Sequence, residues 1–218
     1  MFGLNGKDKN HGHLRVIDGA LGARDAHTVS GILAGTPVAS ATGWRSVEGL
    51  TVGDRVMTFD QGLQEVTEVR HQPLWTGEGP CPADFWPLQV QSGVIGNAHC
   101  TRLMPGQAVM IESDRAEAVY GDPFVVVPAR ALDGVYGVER LHPDPGPMVV
   151  ILRFADEQIV FGRGGVMFLC PSSRDILEQA GRGTDYDVLT VDEARDLMDP
   201  MASGAVYAGA EPAFGTIA

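Results

Sequence analysis

Between Thr36 and His71 the chain breaks into four short runs rich in strand-forming residues: Thr36–Ala41, Arg45–Val47, Asp54–Phe59 and Leu63–His71. Turn signals separate them: Thr42-Gly43, Glu48-Gly49, Val52-Gly53-Asp54 and Asp60-Gln61-Gly62. Short β-branched runs punctuated this often describe a compact, mainly β unit built from hairpins.

The remainder continues in the same manner, with a few short helices. His71 to Phe85 carries Pro73, Gly77, Gly79, Pro80 and Pro82 and reads as a long loop anchored by Trp75, Phe85 and Trp86. Pro87–Gln91 and Gln107–Glu112 alternate as strands. Ser113 or Asp114 offers an oxygen to free amide hydrogens and caps a helix through Tyr120, which Gly121-Asp122-Pro123 ends. Phe124–Val127 is an apolar run long enough only for a buried strand. Asp133-Gly134 predicts a hairpin turn leading into Val135–Leu141. Met148–Phe154 and Gln158–Phe161 predict a hairpin about Ala155-Asp156-Glu157. Gly162-Arg163-Gly164-Gly165 has the composition of a phosphate loop, but no Lys or Ser/Thr follows at the needed place, so it reads as a hairpin turn.

Beyond Pro171 the pattern turns helical. Ser173–Ala180 predicts a short helix closed by Gly181. Thr190 and Glu193 form a capping box, and the helix to Met198 gathers Val191, Ala194, Leu197 and Met198 on one face before Pro200 stops it. The chain thus divides into an N-terminal arm (1–29), a β domain (30–170) and a C-terminal helical extension with a Gly/Ala-rich tail (171–218).

Charge excludes one class of partner. With 16 Lys and Arg against 28 Asp and Glu, the net charge of −12 repels phosphate backbones, and no basic stripe forms, so nucleic acid is not expected. No apolar stretch reaches the roughly 20 residues needed to span a bilayer. The first residues lack a signal-peptide pattern, so the expected location is cytoplasmic or within a larger particle. Cys81, Cys100 and Cys170 are widely spaced and odd in number, which fits neither a disulfide framework nor a zinc site. Cys170, ending an apolar run, is expected to be a small buried hydrophobe. His11 and His13 on the arm do not make a metal site alone. Neither metal nor cofactor is expected.

The stretch GILAGTPVASATGWRSVEGLTVGDRVMTFDQGLQEV, from Gly31 to Val66, resembles the opening of a Hint domain, the self-processing module of hedgehog proteins and inteins. GNAHCTRLMPGQAVMIES and VMIESDRAEAVYGDPFVVVPARALDG extend the likeness to a bacterial branch of that family, continuously from Gly31 to about Cys170. The resemblance implies a compact all-β Hint-like fold. It also implies chemistry whose residues are replaced. Active members carry a nucleophilic cysteine four places before the pair that stands here as Gly35-Thr36, and that position is Gly31. Their Ser-Pro-x-His histidine protonates the departing amide nitrogen, and Gln107 of Pro105-Gly106-Gln107 stands in its place. A carboxamide cannot exchange protons near neutral pH, so general acid catalysis is lost there. In active members a turn near Asp156 and Glu157 assists the second step, which makes these two residues candidates.

Two functions of different class follow. One is a catalytically degenerate Hint-like domain, a structural or protein-binding module holding its partner through the N-terminal arm or the C-terminal extension, within a larger assembly such as a virion-like or secreted particle. The other is a self-cleaving protein with a rearranged site, using Ser30, or Cys100, as nucleophile and His99 as the adjacent base. A third reading is a small-molecule or metal pocket in the old cleft, lined by His99, Cys100 and Gln107.

Overall fold

The computed structural model of the protein describes residues 30–76, 78–143, 146, 148–174, 186–198 and 206–207. The arm before Ser30, most of the expected Ser173–Ala180 helix and nearly all of the tail after Met198 lie outside them.

The fold is mainly β, as expected. Strands β1 (Ile32–Leu33), β2 (Pro37–Ser40), β3 (Gly43–Ser46), β4 (Arg55–Thr58), β5 (Gly62–Glu65) and β6 (Glu68–Pro73) come first. β7 (Leu88–Val90), β8 (Thr101–Leu103), β9 (Ala108–Ser113), helix α1 (Asp114–Tyr120) and β10 (Phe124–Pro128) follow. The chain continues through β11 (Val138–Arg140), β12 (Met148–Arg153), β13 (Gln158–Phe161), β14 (Met167–Cys170), helix α2 (Val191–Met198) and β15 (Val206–Tyr207). Among the described residues three sheets form. The largest runs β10-β9-β14-β13-β4-β2-β3, with β15 on β9 and β5 on β4, and the smaller two run β1-β12-β6 and β11-β7-β8.

Local chemistry explains the hairpins. β2 and β3 pair antiparallel from Pro37↔Ser46 to Ser40↔Gly43, and the Ser40 hydroxyl donates to Gly43 O at 2.7 Å across the turn. β4 and β5 pair about Asp60-Gln61-Gly62, where Thr58 Oγ1 donates to Gly62 O at 2.8 Å. The Gly162–Gly165 turn joins β13 to β14 as a hairpin. Ser113 caps α1 by accepting from Ala116 N–H, and Thr190 and Glu193 cap α2 reciprocally, Thr190 N–H donating to Glu193 Oε2 (2.9 Å) and Glu193 N–H to Thr190 Oγ1 (3.3 Å). α2 seats Ala194, Leu197 and Met198 in the main core against β10 and the 3-10 turn Ala129–Leu132. Burying a side chain such as Leu197 contributes about 1.5–3 kcal/mol.

Three expectations about connection are corrected. The run Leu63–His71 is two strands, because fully buried Val66 turns the chain. Its N–H donates to Asp54 O and its carbonyl accepts from Gly53, after which Thr67 N–H bonds Arg153 O and β6 enters another sheet. β12 and β13 do not form a hairpin. β12 pairs with β1 and β6, whereas β13 lies between β14 and β4, with Ile159 and Val160 both fully buried. The corner is set by buried Phe154, whose backbone bonds the Pro171–Ser173 segment instead of β13. Asp133-Gly134 likewise is no hairpin turn. Asp133 accepts from Arg140 at 2.8 and 2.9 Å, and β11 pairs with the distant β7.

Beside the β13–β14 turn, a Cβ on Gly162 would sit 2.4 Å from the Phe168 ring, which is buried in the main core. Gly162→Ala is expected to lower stability by about 1–3 kcal/mol through overpacking, read as a shift of the denaturation midpoint.

Candidate functional site

The residues singled out by sequence converge only in part. β1 enters beside β12, and Gly31 sits at that contact with φ of +141°, a region that side-chain-bearing residues rarely occupy. A Cβ there would meet Val149 Cγ1 at 2.5 Å, Val150 O at 3.0 Å and Ile151 Cγ1 at 3.2 Å. The position therefore lacks a nucleophile and also lacks space for one.

Just beyond, Gly35-Thr36 turns the chain from β1 into β2, with Thr36 N–H donating to Leu33 O. Glu48 holds this turn. Its Oε2 accepts Gly35 N–H at 2.7 Å, and its Oε1 accepts the Ser46 hydroxyl at 2.7 Å. Burial alone would raise the Glu48 pKa, but these hydrogen bonds, one from its own backbone and the nearby His71 outweigh it, and the value is lowered. In the sequence, Glu48-Gly49 carries only a turn signal.

His99 and Cys100 lie on a loop ordered by Asn97, a buried residue that sequence reasoning also passed over. Asn97 Nδ2 donates to His99 O (2.7 Å) and Gln91 O (3.0 Å), and its Oδ1 accepts from Ile95 N–H (3.2 Å). Four hydrogen-bonding places on one small amide are why this loop needs an Asn rather than an apolar residue. The β13–β14 turn is pinned beside it, Ala98 N–H donating to Gly164 O at 2.7 Å and Arg163 N–H to Pro37 O at 2.9 Å.

Thr36, His99 and Cys100 thus share one cleft of about 830 Å³, together with Arg102, His142 and Arg163. Ser30 and Gln107 are not among its lining residues. Gln107 is buried, and its Nε2 donates to Ala108 O and Leu169 O, both at 2.7 Å, tying the start of β9 to β14. The pocket expected from His99, Cys100 and Gln107 is therefore corrected: the first two line it and the amide is a tie within the body. Asp156 is paired with Arg174 at 2.7 and 3.2 Å, away from the cleft lining, and Glu157 does not line it either.

The three thiols differ by environment. Cys100 is exposed, burial raises Cys81, and complete burial pushes Cys170 up to about 12, as befits the small hydrophobe expected there. Among the described residues no group of three or more His, Cys, Asp or Glu is placed to hold a metal ion. No described helix is long and apolar enough to cross a membrane, a statement that leaves strands aside.

A family model for the Hint domain matches residues 31–166, and the chain belongs to that family. Two solved structures are similar, each with a TM-score of 0.41 and 14% identity. The bacterial intein-like domain from Clostridium thermocellum is covered over 99% of its length by 65% of this chain. A splice-inactive variant of the AceL NrdHF class 3 split intein is covered over 99% of its length by 66% of this chain. No curated protein matches.

Two outcomes follow from this geometry. Gly31→Cys is expected to destabilise the fold by at least about 2 kcal/mol, from positive-φ strain and overpacking, and to yield no thioester or cleaved product by mass spectrometry. Glu48→Gln is expected to cost no more than about 1 kcal/mol at neutral pH, since solvent screens this exposed group. Because the folded pKa of Glu48 is lowered, its contribution is full above the ordinary glutamate value and disappears as pH falls through the lowered one. Denaturation midpoints of the two proteins should therefore converge in acid.

Proposed function

We propose that this Hint domain has lost self-cleavage and serves as a structural or protein-binding module, within a larger assembly. The observation that carries the reading is Gly31, where three atoms of β12 occupy the space a nucleophile would need. Gln107 supports it, since a carboxamide committed to two carbonyls can neither donate nor accept a proton in catalysis. The partner is a protein, held through the arm before Ser30 or the segment beyond Pro171.

The rearranged-site alternative would need Ser30 or Cys100 as nucleophile beside His99; His99 and Cys100 line the cleft and Ser30 does not. Intact mass decides between them. Purified protein followed for a day, with and without a thiol nucleophile, is expected to hold a single mass near 23.2 kDa. Loss of the first 29 or 30 residues, abolished by Ser30→Ala, would overturn the reading.

A further inference from the structure

The described lining of the cleft is rich in basic side chains, although the chain as a whole is acidic. Its lining includes His99, Arg102, His142 and Arg163, and no Asp or Glu among the described lining residues, in a protein of net charge −12. Part of its wall is apolar, from Leu33, Leu141 and Met148. Its volume of about 830 Å³ falls within the range of small-molecule sites.

The glycine-rich turn gives this charge a fixed origin. Arg163 N–H is bonded to Pro37 O and Gly164 O to Ala98 N–H, so the turn is anchored to both walls of the cleft. A Cβ built on Gly164 would stand 3.5 Å from both the His99 ring and the His99 backbone nitrogen, which shows how closely turn and wall are packed. The Arg163 side chain leaves this anchored backbone and lines the cleft with no ion-pair partner among the described residues. A guanidinium is always charged and presents a planar fork of donors that matches carboxylate and phosphate oxygens.

We propose that the cleft is a binding site for a small organic anion, a carboxylate or phosphate monoester on a short apolar body, with the oxyanion against Arg163 and the body against Leu33, Leu141 and Met148. The inference rests on the non-cleaving reading, which leaves the cleft free of chemistry.

The test is a titration of the full chain with hexanoate, hexyl phosphate, hexanol and hexylammonium, following backbone amide signals by NMR. Intact mass is checked on the same sample. Both anions are expected to shift the Cys100 and Gly164 signals saturably, hexanol and hexylammonium to leave them in place, and the anion affinity to fall with added salt. Arg163→Gln should weaken binding about fivefold or more, and Arg163→Lys should lose less. Arg163 is exposed and its fold-forming bonds are made by backbone, so both variants should keep the parent's amide pattern elsewhere. Three results would overturn the site: an equal response to hexylammonium or hexanol, unchanged affinity in Arg163→Gln, or no saturable shift at the cleft. A truncated mass would overturn the non-cleaving reading instead, and the two failures are told apart in one sample.

Discussion

The close approach of the Gly31 main chain to β12 governs this molecule. It lets β1 pair with β12 through Ile32↔Val150 and Leu33↔Val149, which aligns the Gly35-Thr36 turn that follows. That turn carries one wall of the cleft, and Glu48 fixes it from β3's far end. Packing that tight leaves no volume for a side chain at Gly31. Core interiors tolerate little added volume, so no side chain enters here without moving β12.

The opposite wall is assembled from polar bonds rather than from regular structure. Buried Asn97 satisfies several backbone groups of the His99–Cys100 loop, and the adjacent glycine-rich turn bonds to that loop and to β2. Gln107 performs a comparable task lower in the body, where its amide spans β9 and β14. Each of these amides meets the requirement that buried polar groups be paired. An amide suits Gln107's position because both protons of its Nε2 find carbonyls, and an imidazole could not satisfy both from one nitrogen.

Local features were legible in the sequence. The β2–β3 and β4–β5 hairpins, the caps at Ser113 and Thr190, and the apolar face of α2 each depend on residues a few positions apart, whose chemistry can be read directly. Pairings across long separations were not. β12 and β13 carry strand-like patterns on both sides of Ala155-Asp156-Glu157, and nothing in that pattern reveals that buried Phe154 sends them to different sheets. The same holds for the cleft. Thr36, His99 and Cys100 were found through family likeness, whereas Glu48 acts through Gly35, 13 residues away, and Arg163 through the distant Pro37; Asn97 binds groups only 2 to 7 residues away, but they are main-chain atoms that carry no sequence signal.

The pairing of β1 with β12 also has a consequence in time. Ile32 finds its partner roughly 120 residues further along the chain, and contacts of such separation form late because a long loop must first be closed. As the polypeptide emerges from the ribosome, the segment around Gly31 has nothing to pair with until most of the domain has been made. The β1–β12 contact beside Gly31 is thus among the last parts of the domain to be secured.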